Sequence, residues 1–312
     1  MSFKTPVLLL TWRRPDTTRR ILKAIRSVAP EHIYIASDGP RLERQSETEK
    51  VDETREILKA EIDWQAEVYY RFSDVNQGCG PGVVNSINWF FSQVNEGIIL
   101  EDDCLPHRDF FFFCEELLER YRSDSRIWSI GGSNLQDGHR RGDASYYFSR
   151  YFEVWGWATW RDRWQHYDFT LSDWGTLRNT DFLENIHSNP IERDFWACTW
   201  EDIYQHKRTD VWDYQWVLTC MRNQGLSIIP NLNLISNIGF GEGAVHTTSG
   251  TPIALAEEQH LFPLTHPKAI VPHCQADRYY AQREFLAHNK RHQLSFHNIK
   301  TRLQSIMRQF PH

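Results

Sequence analysis

Four short apolar stretches, each followed by a segment with a helical pattern, constrain the fold of this chain most strongly. They are PVLLLTW, HIYIAS, AEVYYRF and GIIL, and all of them lie within the first 100 of the 312 residues. The first is apolar throughout rather than at alternate positions, which is typical of a strand buried on both faces. Short strands that alternate with helices predict an α/β fold with right-handed crossovers and a mainly parallel sheet flanked by helices.

The second half of the chain has a different pattern. From about Asp137 the sequence becomes irregular and aromatic-rich, and it holds most of the 13 Trp residues. Core packing is the ordinary role for such residues, although indole rings also suit the apolar faces of sugars. Since no repeat or low-complexity linker interrupts the chain, we predict one domain over residues 1–250, with halves at 1–135 and 136–250, and a C-terminal extension over 251–312.

Composition narrows the class of protein. The formal net charge is −6, which argues against nucleic acid as a partner because phosphate backbones require a basic surface. The apolar stretch in MSFKTPVLLLTWRRPD is too short for a signal peptide, and no segment approaches the roughly 20 apolar residues of a membrane helix. We therefore expect a cytoplasmic protein without a transmembrane segment. The six cysteines form no CxxC pair, so neither a zinc site nor a disulfide framework is indicated.

Polar groups follow three of the predicted strands at the points where these strands end. TWRRP follows the first strand, SDGP the second and EDD the fourth. Ligands of parallel sheets bind beyond the carboxyl ends of the strands, so we expect the three groups to converge on one crevice. The adjacent carboxylates of EDD repel one another unless water, basic side chains or a cation compensates them. A solvated turn is the plain interpretation, and a Mg²⁺ or Mn²⁺ site is the sharper one, because both ions prefer carboxylate oxygens.

The sequence resembles the nucleotide-diphospho-sugar transferases of the GT-A fold, and within them the N-acetylglucosaminyltransferase I type. Four stretches carry the resemblance in order: PVLLLTWRRP, ASDGP, EDDCLPHRDFFFFCEELLERYRSDSRIWSIGGSN and VWDYQWVLTCMRNQGLSIIPNLNLISNIGFGEGAVHT. The resemblance implies a GT-A fold whose first half binds a nucleotide sugar and whose aromatic-rich second half binds the acceptor. It also implies Mn²⁺ or Mg²⁺ as cofactor.

The resemblance assigns roles to residues on the donor side. Asp103 would coordinate the metal, and Asp102 would lie near the ribose. Glu101 would lie beside the donor sugar. Asp38 would hydrogen-bond the nucleotide base, with an ordinary turn residue as the alternative. Arg14 would approach the diphosphate, with solvated surface charge as the default for such an arginine.

Other expected site residues have weaker signals. His246, in GEGAVHT, is a second metal ligand by resemblance, against the more common structural role of a lone histidine. The remaining positions are expected to line the nucleotide and sugar crevice, with core packing or a plain turn as the alternative; they are Thr11, Gly78, Trp155 and Gly156.

Asp213, in WDYQW, matches the family position of the general base. A base there would take a proton from the acceptor hydroxyl on the face opposite the leaving diphosphate, which inverts the anomeric configuration. Without the resemblance, a helix N-cap is the more common role for such an aspartate. Asp210 is the alternative base.

Three functions remain open on the sequence. The leading one is an inverting, metal-dependent glycosyltransferase that uses a nucleotide-diphospho-sugar, with UDP as the expected nucleotide and UDP-GlcNAc as one candidate, in the synthesis of a surface glycan or polysaccharide. An inverting glycoside hydrolase also uses two carboxylates. The third is a glycan-binding or membrane-active protein that keeps the fold without turnover.

Overall fold

The computed structural model describes residues 3–239 and 261–285. The described chain divides into two compact units. Unit 1 comprises residues 3–170, 208–239 and 261–273, and unit 2 comprises the rest. The predicted domain boundary at residue 250 lies outside the described residues and stays a prediction.

Unit 1 is built on a central sheet with helices packed against it. Its strands are β1 (Val7–Thr11), β2 (His32–Ser37), β3 (Glu67–Phe72), β4 (Glu96–Glu101), β5 (Cys104–Pro106), β6 (Ile127–Gly131), β7 (Tyr146–Ser149), β8 (Trp157–Trp160), β9 (Leu226–Pro230) and β10 (Ile235–Asn237). Its helices are α1 (Pro15–Arg26), α2 (Gln45–Ala60), α3 (Cys79–Gln93), α4 (Arg108–Tyr121), α5 (Arg161–Trp164) and, after unit 2, α9 (Asp213–Arg222).

The central sheet confirms the predicted fold class. Its strand order is β3-β2-β1-β4-β8-β6-β9-β7. The four strands from β3 to β4 run parallel to one another, and β9 runs parallel to β6. Strands β8 and β7 are antiparallel to their neighbours. The regular βα units of the first half thus give the parallel part of the sheet, and the irregular second half extends it as a mixed sheet.

Strand β1 explains why the first apolar stretch does not alternate. All five of its residues are buried, because helices cover both faces of the sheet at its centre. Strand β3 lies at the edge and exposes Tyr69 and Tyr70. The register pairs Leu10 with Glu101 and Thr11 with Ser37. The carboxyl ends of β1, β2 and β4 therefore lie side by side at one edge.

Close backbone packing shapes the turn next to that edge. Strand β5, which follows the EDD triplet directly, pairs with β10 in an antiparallel ribbon. Gly156 has a φ of +63°, and a Cβ atom there would lie 2.4 Å from Ile235 Cδ1 in β10. Only glycine tolerates both this conformation and this contact. Gly156 therefore lets the chain before β8 pass close to the ribbon.

Unit 2 is a small helical body with an aromatic core. It includes α6 (Trp174–Leu177), α7 (Phe182–Ile186) and α8 (Pro190–His206). The Asn189 side chain accepts a hydrogen bond from the Ile191 backbone N–H at 3.0 Å and so caps the start of α8. Its three buried tryptophans are core residues rather than sugar platforms; they are Trp174, Trp196 and Trp200.

Across the described parts of both units, no helix combines the length and the apolar character needed to cross a membrane.

Candidate active site

The loop after β1 connects the strand ends to one another. The Trp12 backbone N–H donates to Asp102 Oδ2 at 3.0 Å, and its indole N–H donates to the Gly39 carbonyl at 2.9 Å. One residue therefore joins the ends of β1, β2 and β4. The groups in TWRRP, SDGP and EDD converge in unit 1, as the strand order predicts.

Arg14 lies between two carboxylates of the triplet. Its Nη1 is 2.5 Å from Asp103 Oδ2 and 3.3 Å from Asp102 Oδ1. Both aspartate side chains are largely buried, with 9% of Asp102 and 13% of Asp103 exposed. The sequence reading of a turn exposed to water does not fit this burial. In the structure the positive charge of Arg14 is directed at the carboxylates.

We define the carboxylate cluster as Glu101, Asp102, Asp103 and Asp213. Among the described residues, Arg14 is the cation bonded to the EDD triplet, and its single charge does not balance the three carboxylates of that triplet. Burial, and then the charges of the other three carboxylates, raise the pKa of Glu101 to about 8. Burial also raises the pKa of Asp102 to about 6, although Arg14 acts in the opposite direction. Among the described residues, the EDD triplet thus carries more negative charge than its bonded arginine compensates.

This charge imbalance fits a divalent cation whose coordination a substrate completes. Among the described residues, no group of three or more His, Cys, Asp and Glu side chains is arranged to hold a metal ion by itself. Mg²⁺ and similar ions commonly bind through one or two carboxylates and take their remaining ligands from water and substrate phosphates. Asp103 is suited to such a role, since carboxylate oxygen is a hard ligand for these ions.

The chain after β10 packs against Asp103. The Ile238 backbone N–H donates to the Asp103 carbonyl at 2.7 Å. A Cβ atom on Gly239 would lie 2.3 Å from Asp103 Oδ2. Sequence reasoning missed Gly239, because a glycine in GFGEG gives no sign that its backbone touches a carboxylate. His246 lies a few residues further on, outside the described residues, so its predicted metal contact stays a prediction.

Asp213 begins helix α9, and its charge acts on Glu101, Cys79 and Tyr167. These three groups belong to different elements, so the start of α9 lies at the crevice. Asp213 is not an N-cap, because Trp212 holds that position and no side chain caps α9. Asp210 pairs with Arg208 at 2.7 Å on an exposed surface, which makes it the weaker candidate for a buried base.

Asp38 lies at the end of β2, where the start of α3 surrounds it. Its carboxylate accepts hydrogen bonds from the backbone N–H groups of Gln77 and Gly39, both at 2.8 Å, and from the Asn76 amide at 2.9 Å. Burial raises its pKa in spite of these bonds. Gly78, with a φ of +83°, is the N-cap residue of α3. Asp38 therefore links β2 to the start of α3, and its predicted contact with a nucleotide base stays a prediction.

The other predicted site residues have mainly structural contacts here. The buried Thr11 hydroxyl donates to the Ala36 carbonyl at 3.2 Å within the sheet. Trp155 packs partly buried against the core, and its carbonyl accepts a hydrogen bond from the Ser133 hydroxyl at 3.1 Å. Gly156 lies against Ile235. Their predicted contacts with a donor or acceptor stay predictions.

No family model and no curated protein sequence matches this chain. Solved structures do match. A UDP-glucose pyrophosphorylase complexed with UDP-glucose has 8% identity and a TM-score of 0.37, with 75% of this chain and 93% of that chain covered. A 4-diphosphocytidyl-2C-methyl-D-erythritol synthase from Anaerococcus prevotii has 8% identity and a TM-score of 0.33, with coverage of 53% and 75%. A cytidylyltransferase from Leptospira borgpetersenii has 9% identity and a TM-score of 0.32, with coverage of 65% and 72%.

These likenesses are too low in identity and TM-score to carry an argument about the activity of this chain. The resemblance to the N-acetylglucosaminyltransferase I type finds no support among them and stays a hypothesis.

Proposed function

We propose that this protein is an inverting, divalent-metal-dependent glycosyltransferase. It would transfer a sugar from a nucleotide diphosphate, with UDP as the expected nucleotide, to an acceptor hydroxyl. The observation that carries the proposal is the carboxylate cluster at the ends of the parallel strands. There, within the described residues, Arg14 is the cation that contacts the triplet, and the charge of Asp213 acts on it from the start of α9.

Asp103 would hold the metal ion, with the neighbouring Asp102 beside the ribose. A Mn²⁺ or Mg²⁺ ion held by Asp103 would neutralise charge on the diphosphate. Arg14 is within reach of the same position and would move from the aspartates to a phosphate oxygen, because guanidinium binds phosphate and carboxylate in the same fork geometry. The residues that now bind one another would then bind the donor.

Asp213 would act as the general base. A base must lie where the acceptor hydroxyl meets the donor sugar, and the charge of Asp213 acts on Glu101, the residue expected beside that sugar. The hydroxyl would attack the anomeric carbon as the diphosphate leaves on the opposite face. The product therefore has inverted anomeric configuration.

A glycoside hydrolase is the second candidate, and the state of Glu101 favours it. A carboxyl group with a pKa of about 8 is protonated at neutral pH and could serve as the general acid, with Asp213 as the base that activates water. Such an enzyme needs no nucleotide. Nucleotide dependence therefore separates the two candidates.

The test is thermal unfolding with a panel of nucleotides and nucleotide sugars, each with and without Mn²⁺. A ligand that binds only the native state raises the unfolding midpoint. We expect a rise when nucleotide and Mn²⁺ are present together. If nucleotides, nucleotide sugars and Mn²⁺ leave the unfolding midpoint unchanged, alone and in combination, the transferase proposal is rejected and the hydrolase is favoured.

A further inference from the structure

A second charged group lies next to the carboxylate cluster, and the proposed reaction does not use it. Three guanidiniums surround the carboxylate of Glu47, which is 3% exposed. Arg13 Nη1 is 2.7 Å from Glu47 Oε1, and Arg41 Nε is 2.9 Å from Glu47 Oε2. Arg44 Nη1 is 3.5 Å from Glu47 Oε1. We refer to Arg13, Arg41 and Arg44 as the arginine cluster.

The arginine cluster adjoins the carboxylate cluster through the loop after β1. The Arg13 guanidinium lies 4.2 Å from the centroid of the Trp12 ring, and the Arg41 guanidinium lies 5.1 Å from it. Trp12 also donates its backbone N–H to Asp102. Consecutive residues thus serve the two clusters, since Arg14 contacts the aspartates and Arg13 contacts Glu47.

The arginine cluster has more hydrogen-bond donors than Glu47 can accept. Each guanidinium carries five N–H groups, whereas one carboxylate offers about four acceptor positions. The arginine side chains remain 25%, 31% and 56% exposed in the order Arg13, Arg41 and Arg44. The exposed Glu43 acts on Arg41 as a further negative charge. Three arginines against these two carboxylates still leave the patch positive, on a chain whose net charge is −6.

The start of helix α2 adds to the positive potential. Arg44 is the N-cap residue of α2, and this helix has no side-chain cap hydrogen bond. Helix N-termini favour anions through their exposed N–H groups and through the helix dipole. Glu47, in the first turn of α2, is one anion at this place. The arrangement has room in charge and in donors for another.

We propose that Arg13, Arg41 and Arg44 form an oxyanion site that binds a phosphate group next to the carboxylate cluster. Phosphate is the ligand class because the planar fork of arginine matches two phosphate oxygens at once. The site itself is independent of the proposed function; only the source of the phosphate, the donor diphosphate or a phosphorylated acceptor, rests on that function.

The experiment is a ³¹P NMR titration of the full chain with inorganic phosphate at low ionic strength, without divalent metal. We expect Arg44→Gln and Arg41→Gln each to weaken phosphate binding roughly three- to tenfold. Glu47→Gln removes the internal carboxylate and is expected to tighten it. Arg19→Gln is the matched control, since Arg19 is an exposed arginine of α1 paired with Glu61, and it should leave binding unchanged.

Equal binding in the wild type and Arg44→Gln would overturn the oxyanion site. This variant also guards against a folding artefact, because more than half of the Arg44 side chain is exposed. Binding that needs Mn²⁺ and disappears in Asp103→Ala would overturn the site too, while leaving the proposed function intact. Conversely, metal-free binding that persists in Asp103→Ala supports the site even if no nucleotide binds.

A competition arm identifies the source of the phosphate. If UDP with Mn²⁺ displaces inorganic phosphate, the arginine cluster holds the donor diphosphate. If phosphate binds equally well beside UDP and Mn²⁺, the site serves a phosphate on the acceptor.

Discussion

Glu47 and Glu101 are both glutamates near the carboxyl ends of the central strands, yet the protein shifts their pKa values in opposite directions from the ordinary value. Hydrogen bonds from Arg41, and then the charge of Arg13, lower the pKa of Glu47 to about 2. Burial and three neighbouring carboxylates raise the pKa of Glu101 to about 8. The ordinary value for both is 4.5. The protein therefore has one region with an excess of cations and, next to it, one with an excess of anions.

The two glutamates differ in whether the chain itself supplies their counter-ions. Glu47 has its counter-ions in place, so its ionised form is stable in the protein alone. In the carboxylate cluster, Arg14 bonds directly to Asp102 and Asp103 and acts on Glu101 only through its charge. A divalent ion would neutralise the excess negative charge of the carboxylate cluster. A phosphate would be attracted by the excess positive charge of the arginine cluster.

The largest effect is expected for Asp213→Asn. The variant keeps the shape of the side chain but cannot accept the acceptor proton, so transfer should fall roughly 10²- to 10⁴-fold while donor binding is unchanged. Transfer rates and donor affinity are measured on the same preparation. Asp210→Asn is the matched control, since Asp210 pairs with Arg208 on the surface. A normal rate for Asp213→Asn, or a loss confined to Asp210→Asn, would reassign the base.

Asp103→Ala tests whether the anionic region is a metal site. Removal of a metal ligand should weaken Mn²⁺-dependent donor binding by at least about 10²-fold, because loss of outer-sphere partners alone costs 10 to 100-fold. Titration calorimetry with and without Mn²⁺ measures this. The control is Asp52→Ala, an exposed aspartate of α2. Unchanged Mn²⁺ dependence in Asp103→Ala would leave the imbalance of charge without a metal to explain it.

Glu47→Gln tests whether the arginines around Glu47 stabilise its ionised form. A folded-state pKa of about 2 means that Glu47 stabilises the fold above pH 4.5 and that this contribution is lost as the pH falls towards 2. We expect the variant to be less stable by about 1 kcal/mol at pH 7, since its arginine partners are partly exposed and the pairs are screened. Denaturant unfolding across the pH range should show the difference shrinking below pH 4.5. A constant difference at all pH values would indicate a packing effect instead.

Glu101→Gln tests the anionic side with the opposite sign. A folded-state pKa of about 8 means that protonated Glu101 is tolerated at low pH and that stability is lost as the pH rises from 4.5 through 8. Without metal, the variant should therefore be more stable than the wild type at pH 8, by up to a few kcal/mol, and similar to it below pH 4.5. Thermal unfolding in the presence of a chelator measures this. A destabilised variant at pH 8 would show that ionised Glu101 is already compensated by the chain.

The sequence was sufficient for the architecture because strands and helices alternate there with clear periods. PVLLLTW is a buried central strand, and the polar groups after three strands do converge. The second half was harder, since β8 inserts between β4 and β6 with antiparallel pairing. An aromatic-rich sequence such as EVWGWATW has no period that reveals such a pairing.

Site geometry was predictable only where charge was concentrated in the sequence. The triplet and Asp213 can be recognised in the sequence as carboxylates, and the topology of the fold places them close together. The partners were not predictable. Arg14 binds the aspartates of the triplet. Glu47, in the first turn of the charged helix α2, forms ion pairs with arginines from two loops. Such pairings depend on which loops lie next to each other in the fold, and the local sequence does not indicate which loops these are.

We propose above all that the carboxylate cluster is a cation site completed by a nucleotide diphosphate. The most direct measurement is the electron paramagnetic resonance signal of free Mn²⁺, titrated against the protein with and without UDP. We predict weak Mn²⁺ binding alone, at least about tenfold tighter binding with UDP, and loss of that gain in Asp103→Ala. Equal Mn²⁺ affinity with and without UDP, or the same gain in Asp103→Ala, would rule out a cation site at Asp103 that a nucleotide diphosphate completes.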